Sequence, residues 1–398
     1  MKKNKSFNKL LLGQALANIG DTIYTIAVIS SIFTLTKSPI ATSLVPVIIT
    51  ASMFLSGLLT PLVTSRFSLN KILRISQLLK TLLLFVLAVY LQMNSQSISV
   101  FVLYILIAFV AFLDGCAKPV SNALIPHYVP KDDLMKANSI FESVFQTIGI
   151  GSWAVGSSLL LLFSISRLIW FDVAVFLIAT IFMWLLPQVG IEERKVKSDK
   201  EAFSQGWKKI NKTPLLKVVI SMDILEQIAQ TAWIGAIVLV FVKEALHVTE
   251  NWWGYINAVY FGGSIIGGLI CLRFTKKIDS NKAKYIFLGS LFGALTTFAV
   301  SISPNAILVV CLSALIGVFE QLKNIPQSTA IQKKIQSDLL APVYASMSTL
   351  YTGCFALATL GSGVVSEVMG VRYVFAISGV LLFVVTIIAR KNRELFED

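Results

Sequence analysis

Apolar runs of about 20 residues recur along the chain, separated by short stretches that carry most of its charge. A hydrocarbon core about 30 Å thick is crossed by roughly 20 helical residues at about 1.5 Å rise each, so every run of that length predicts a membrane span. Twelve such spans are read, at 10–34, 43–65, 72–92, 98–122, 140–163, 168–187, 215–241, 252–272, 284–303, 306–327, 344–365 and 371–389. The one long polar stretch, 188–214, is rich in Lys and Glu and separates six spans from six. The expected fold is all-α and integral to the membrane: an N-terminal six-helix bundle at 1–187, a central cytoplasmic loop at 188–214 and a C-terminal six-helix bundle at 215–398.

A trace of duplication supports two pseudo-symmetric halves. FLDGCAKPVSNA at 112–123 aligns with FEQLKNIPQSTA at 319–330, matching Phe112 to Phe319, Pro119 to Pro326, Ser121 to Ser328 and Ala123 to Ala330. The offset is close to the separation of the first and seventh spans, as duplication of a six-helix unit requires. Glycines at small-xxx-small spacing predict close helix packing. They are Gly149, Gly151 and Gly156 in the fifth span, Gly262–Gly263 with Gly267–Gly268 in the eighth, and Gly289 with Gly293 in the ninth.

Composition agrees with a membrane protein: 56% of residues are hydrophobic and 14% charged, against roughly 45–50% and about 25% in soluble domains. A net charge of +13 raises the question of a nucleic-acid partner, but the basic residues concentrate in alternate loops and both termini. The opposite loops hold only Lys37, Arg167, Lys243 and Arg372. By the positive-inside rule the basic excess is topological, which puts both termini and the central loop in the cytoplasm and removes the need for nucleic acid. The N-terminal MKKNKSFNKLLL begins like a signal peptide, but no small-residue cleavage site follows, and it reads as a retained first helix. Cys116, Cys271, Cys311 and Cys354 lie within spans without CxxC spacing, so no disulfide framework or metal site is expected.

Ionisable residues inside spans are where function should lie, because such a group at a lipid-exposed helix centre costs about 2.5–3.5 kcal/mol on insertion scales and so faces the bundle interior. The chain has Asp21, Lys80, Asp114, Lys118, Glu142, Asp172, Asp223, Glu226, Glu320 and Lys323. Gln14, Asn18, Asp21 and Thr25 fall at spacings that line one stripe of the first span. Asp223, Glu226, Gln227 and Gln230 share an arc of roughly 100° on the seventh. Two carboxylates three residues apart in a poorly solvated place cannot both ionise cheaply, which suits the pair to carrying a proton or meeting a cationic ligand. Lys118 after Asp114 and Lys323 after Glu320 have the spacing of local ion pairs. Glu142 and Asp172 sit near span ends and read as hydrated or gating groups, and Tyr24 or Tyr260 as candidates to line a cavity.

There is no GxxxxGK[ST] phosphate loop and no HExxH or Ser/His/Asp arrangement, and His127 and His247 fall in loops. An enzyme is not expected, nor any cofactor.

These residues carry a resemblance. The chain resembles a twelve-helix member of the major facilitator superfamily, and more narrowly the macrolide-efflux and enterobactin-exporter-like group of bacterial drug:proton antiporters. The matching segments are GQALANIGDTIYTIAV at 13–28, PVSNALIPHYVPKDDLMKANS at 119–139, FDVAVFLIA at 171–179 and SQGWKKINKTPLLKVVI at 204–220. The loop between the second and third spans keeps the basic Arg66 and Lys71 of that superfamily's gating loop, with Ser65 where an acid is usual. Gln77 stands where a carboxylate usually precedes Lys80, and GSWAVG at 151–156 lacks the proline of the antiporter motif. The resemblance implies a monomeric secondary exporter of small amphipathic molecules such as antibiotics in the bacterial plasma membrane, coupled to protons. Export of a siderophore or self-made peptide antibiotic, a lipid flippase and a non-transporting scaffold remain open. Substrate-binding or proton-coupling roles fall on Asp21, Asn18, Gln14, Lys80, Asp114, Glu142, Asp223, Glu226, Gln230 and Glu320.

Overall fold

Each long apolar run folds as the helix its length predicts, and polar caps set where several begin. The computed structural model describes residues 4–93, 98–189, 199–233 and 235–397, among which no strand occurs. The helices are α1 (Lys5–Thr36), α2 (Pro39–Arg66), α3 (Leu69–Met93), α4 (Val100–Tyr128), α5 (Leu134–Leu162), α6 (Ile165–Trp184), α7 (Asp199–Lys212), α8 (Pro214–Gln230), α9 (Gly235–Val240), α10 (Asn251–Arg273), α11 (Thr275–Asp279), α12 (Lys282–Ile302), α13 (Ala306–Lys334), α14 (Ser337–Met369) and α15 (Val371–Lys391). The Asn4 side chain accepts from the Ser6 and Phe7 amides at the start of α1, and Asn305 accepts from Ile307 and Leu308 at the start of α13. Each cap satisfies donors that the first helical turn leaves unpaired. The aligned Pro119 and Pro326 both lie inside helices, α4 and α13.

Among the described residues, ten helices are long and apolar enough to span a membrane, or eleven if one bent pair is a single span. That pair corrects the expected continuous span at 215–241. Pro214–Trp233 and Ile237–Ala245 meet at 46°. The break follows from competition for backbone carbonyls: the Thr231 hydroxyl donates to the Ile228 carbonyl at 2.6 Å and also meets Ser362 on α14, and a 3₁₀ turn at Thr231–Trp233 follows. In the fifth expected span the side chains of 152–162, Gly156 included, lie outside the described residues, as do 190–198 of the central segment.

The stretch read as a loop also contains α7. Its apolar positions are too few for a span but recur at helical spacing, with Gly206 and Ile210 buried. A Cβ at Gly206 would collide with the Pro342 carbonyl on α14, so glycine permits that approach.

The chain divides into two compact units. The first comprises Met1–Pro130, Gly151–Lys209 and Gln336–Thr349; the second Lys131–Ile150, Ile210–Ile335 and Leu350–Asp398. In the first, α1 packs on α6, α2 on α4, and α3 on both α4 and α6. Its core joins Ala27, Val28 and Ile32 of α1 to Leu84 and Leu87 of α3, Ile107 and Val110 of α4, and Ile169, Val173 and Phe176 of α6. In the second, α10 packs on α13, α12 on α13 and α15, and α8 on α15. Arg372 ties this unit together at one end, donating to the carbonyls of Ser301, Ser303 and Ala245 at 2.8–2.9 Å.

The expected glycine packing is present, at both members of Gly267–Gly268 but at only one of Gly262–Gly263 and of Gly289–Gly293. Cβ atoms at Gly263 and Gly267 would run into the Ala314 and Val318 carbonyls of α13 and one at Gly268 into Ser143 of α5, whereas Gly262 and Gly293 have nothing within 4 Å among the described residues.

Candidate functional site

Each unit contains one lysine held between two carboxylates. On α3 the buried positions Ser76, Gln77, Lys80, Thr81 and Leu84 recur at helical spacing and face the interior. From that face Lys80 reaches Asp21 of α1 at 2.7 Å and Asp114 of α4 at 3.1 Å. The lysine side chain is 1% exposed and the acids 21% and 20%. The Phe176 ring lies 5.1 Å from its ammonium and adds a cation–π contact. Asp114 thus takes Lys80 in place of the local partner expected from spacing; Lys118 is exposed.

The rest of the polar stripe on α1 does not converge with Asp21. Asn18 donates to the Gln14 carbonyl at 3.2 Å and Thr25 to the Asp21 carbonyl at 2.6 Å, so both bond within their own helix. Gln14 is buried and Tyr24 belongs to the core.

Asp172 on α6 is not the hydrated group that its position near a span end implies. It is 0% exposed, and neither carboxylate oxygen has a hydrogen-bond partner among the described residues. The glycine at position 20 makes room for it, since a Cβ there would lie 2.7 Å from Asp172 Oδ1. An unpaired buried charge is expensive whereas a neutral group of the same shape is not. Asp172→Asn is therefore expected to keep or raise the midpoint of thermal unfolding in detergent. A clear fall in that midpoint would show that the carboxylate makes an ionic contact.

In the second unit Lys323 of α13, 2% exposed, pairs with Asp223 at 3.3 Å and with Glu226, both on α8. Here too the partner expected from spacing, Glu320, is replaced by acids on another helix. Asp223 is further held by Gln327 Nε2 at 2.8 Å and the Tyr351 hydroxyl at 2.5 Å. Glu320 accepts instead from the Tyr260 hydroxyl at 2.5 Å, Gln230 Nε2 at 3.2 Å and Asn324 Nδ2 at 3.5 Å. Glu142 lies half-buried on α5 and within electrostatic reach of Glu320.

Beside these groups is a cavity of about 290 Å³. Glu226, Gln230, Glu320 and Lys323 supply its charged and amide lining, and Trp233, Tyr260, Phe261 and Phe355 its aromatic wall. Tyr260, one of two candidates from sequence, lines it; Tyr24 belongs to the other unit. Among the described residues no group of three or more His, Cys, Asp or Glu could hold a metal ion.

Of the two residues expected to form a gating loop, Arg66 ends α2 and Lys71 lies over the Phe67 ring at 4.8 Å. The contacts that secure this end of the first unit come from neighbours that sequence reasoning passed over. Asn70 donates to the Pro187 carbonyl at 2.9 Å and accepts from the Val189 amide, while Arg74 donates to the Met183 and Leu186 carbonyls. Gln327 was findable, as it continues the polar stripe of Glu320, Lys323 and Asn324 on α13. Tyr351 and Asn70 carried no such signal.

Comparison with known proteins fits this architecture. The chain is 29% identical over 387 residues to the uncharacterized MFS-type transporter YfmI of Bacillus subtilis, covering 96% of this chain and 95% of that protein. It is 25% identical to YjbB of the same organism, also an uncharacterized MFS-type transporter, covering 97% and 95%. Among solved structures it matches a bacterial homologue of the iron transporter ferroportin (TM-score 0.77, 13% identity, covering 97% and 98%). It also matches the human organic anion transporter MFSD10 (TM-score 0.79, 10% identity, covering 98% and 100%). At such identities the likeness is one of fold, and cargo is not inherited with it. The sequence profile of the Major Facilitator Superfamily matches residues 10–359. The chain is thus a multi-pass, secondary-active transporter and not an enzyme, and it belongs to the Major Facilitator Superfamily.

Proposed function

We propose that the chain is a proton-coupled exporter of small amphipathic molecules, of the macrolide-efflux and enterobactin-exporter-like kind, working as a monomer of twelve spans by alternating access with both termini cytoplasmic. The observation that carries this reading is the pair of lysine clusters within membrane-spanning helices. With both acids ionised each trio has one excess negative charge, and a single proton taken up by one acid neutralises it. A proton arriving at Asp21 leaves Lys80 to Asp114; one arriving at Glu226 leaves Lys323 to Asp223, whose other two donors hold it in place. At Lys80 proton binding thus releases the ionic contact to α1 and keeps the one to α4, which is what coupling a gradient to helix movement needs, while at Lys323 the contact stays with α8 and only the charge balance changes.

A non-transporting scaffold would need neither the partly exposed acids at Lys80 nor a cavity lined by Glu226 and Glu320. The reading is tested in proteoliposomes with an imposed pH gradient. Substrate accumulation should follow the gradient, and Asp21→Asn combined with Glu226→Gln should abolish that dependence. Full accumulation in the double variant, or transport indifferent to the gradient, would exclude proton coupling through these groups.

A further inference from the structure

The charge in and beside the cavity of the second unit is unbalanced. Three acids, Asp223, Glu226 and Glu320, share one lysine. Lys323 is committed to Asp223 and Glu226, and Asp223 is filled by Gln327 and Tyr351. That leaves Glu320, among the described residues, with neutral donors only, from Tyr260, Gln230 and Asn324. Glu320 lines the cavity together with Glu226, and aromatic residues form much of the remaining wall.

Each feature narrows the occupant. Surplus negative charge in a poorly solvated cavity repels carboxylates and phosphates and attracts a cation. Metal ions are disfavoured because a bare divalent ion needs a dense set of oxygen or nitrogen ligands, and no such cluster exists among the described residues. Aromatic faces suit an organic cation, whose charge they attract and whose carbon they cover. Carboxylate oxygens favour a head that donates hydrogen bonds over one fully substituted with carbon. At about 290 Å³ the space lies at the lower end of ligand pockets, roughly 300–1,000 Å³, so it encloses a compact head rather than a large molecule entire.

We propose that this cavity binds the protonated primary amine of a small aromatic amine, with Glu320 and Glu226 accepting its N–H bonds and Trp233, Tyr260 and Phe261 enclosing its carbon. On binding, the ammonium takes over from Lys323 at Glu226, and the lysine stays with Asp223. The amine's role as cargo rests on the export reading; its binding does not.

The experiment uses the purified full-length protein in nanodiscs without any gradient, and three probes of one shape: 3-phenylpropylamine, which is cationic at neutral pH, 3-phenylpropanol, which is neutral, and 3-phenylpropionate, which is anionic. Quenching of tryptophan fluorescence, Trp233 being in the cavity wall, and a shift in thermal unfolding are read together. The amine should bind at least about tenfold more tightly than the alcohol, and the anion should not compete. Glu320→Gln should remove most of the preference for amine over alcohol, by weakening the amine, and Tyr260→Phe, which keeps the ring, should retain it in part. Equal binding of amine and alcohol, unchanged amine binding in Glu320→Gln, or no binding of the amine at millimolar concentration would each overturn the proposal. Amine binding without gradient-driven export would remove the export reading alone, and gradient-driven export of other compounds without amine binding would remove this proposal alone.

Discussion

Lys80→Met is expected to lower the stability of the folded protein markedly. The substitution keeps the length and apolar stem of the side chain but removes the charge that Asp21 and Asp114 share. Breaking a buried ion pair from one side costs about 3–5 kcal/mol, because the remaining charges stay where water cannot compensate them. The two acids are about a fifth exposed, so the lower end of that range is the expectation. A loss of this size should appear as a large fall in thermal midpoint and in yield of monodisperse protein. The companion variant is Lys80→Met with Asp21→Asn and Asp114→Asn. Removing all three charges should recover most of the stability, since neutral groups of similar shape replace a buried ionic set at little cost, yet leave transport inactive. A Lys80→Met protein as stable as the parent would show that Lys80 does not hold these acids.

The second large effect is expected at the crossing of α10 and α13. Gly263→Leu would drive a side chain into the Ala314 backbone, and Gly317 on the facing helix approaches Tyr260 and Ser264 as closely. A backbone contact cannot be relieved by a side-chain rotation, so the helices must separate. Overpacking of this kind costs about 1–3 kcal/mol and often more when backbone is involved. Gly262→Leu is the internal control, since among the described residues nothing lies within 4 Å of a Cβ there. The thermal midpoint should fall for the first and hold for the second. Equal behaviour of the two neighbours would remove the packing explanation.

What was legible in the sequence follows from what periodicity encodes. Hydrophobic runs specify spans because the bilayer sets one length for all of them, and α1 to α4 correspond to runs read from the chain alone. Charges within those runs correctly marked Lys80, Asp21, Asp114, Glu226 and Glu320 as interior groups. Periodicity names a face, however, and not the helix opposite it. Spacing therefore paired Asp114 with Lys118 and Glu320 with Lys323, whereas the structure pairs each acid across helices, Asp114 with Lys80 and Glu320 with Tyr260 and Gln230. Asp172 was misread for a related reason: its position near a span end implied water, but the space beside Gly20 and the Phe176 ring encloses it. The helix at Asp199–Lys212 escaped notice because a polar composition was taken as the mark of a loop, although Lys, Glu and Gln are good helix formers.

The interruption after Gln230 has an electrostatic meaning. A helix that stops inside a membrane leaves its carbonyl end, equivalent to roughly half an elementary negative charge, in a medium that screens it poorly. The final turn of α8 ends at Ala229 and Gln230, with Trp233 in the turn beyond, and all three border the cavity. Part of the field there originates in peptide dipoles, and swapping Glu320 for glutamine leaves that part intact. Cations should retain a residual advantage over anions even in a pocket stripped of its carboxylates.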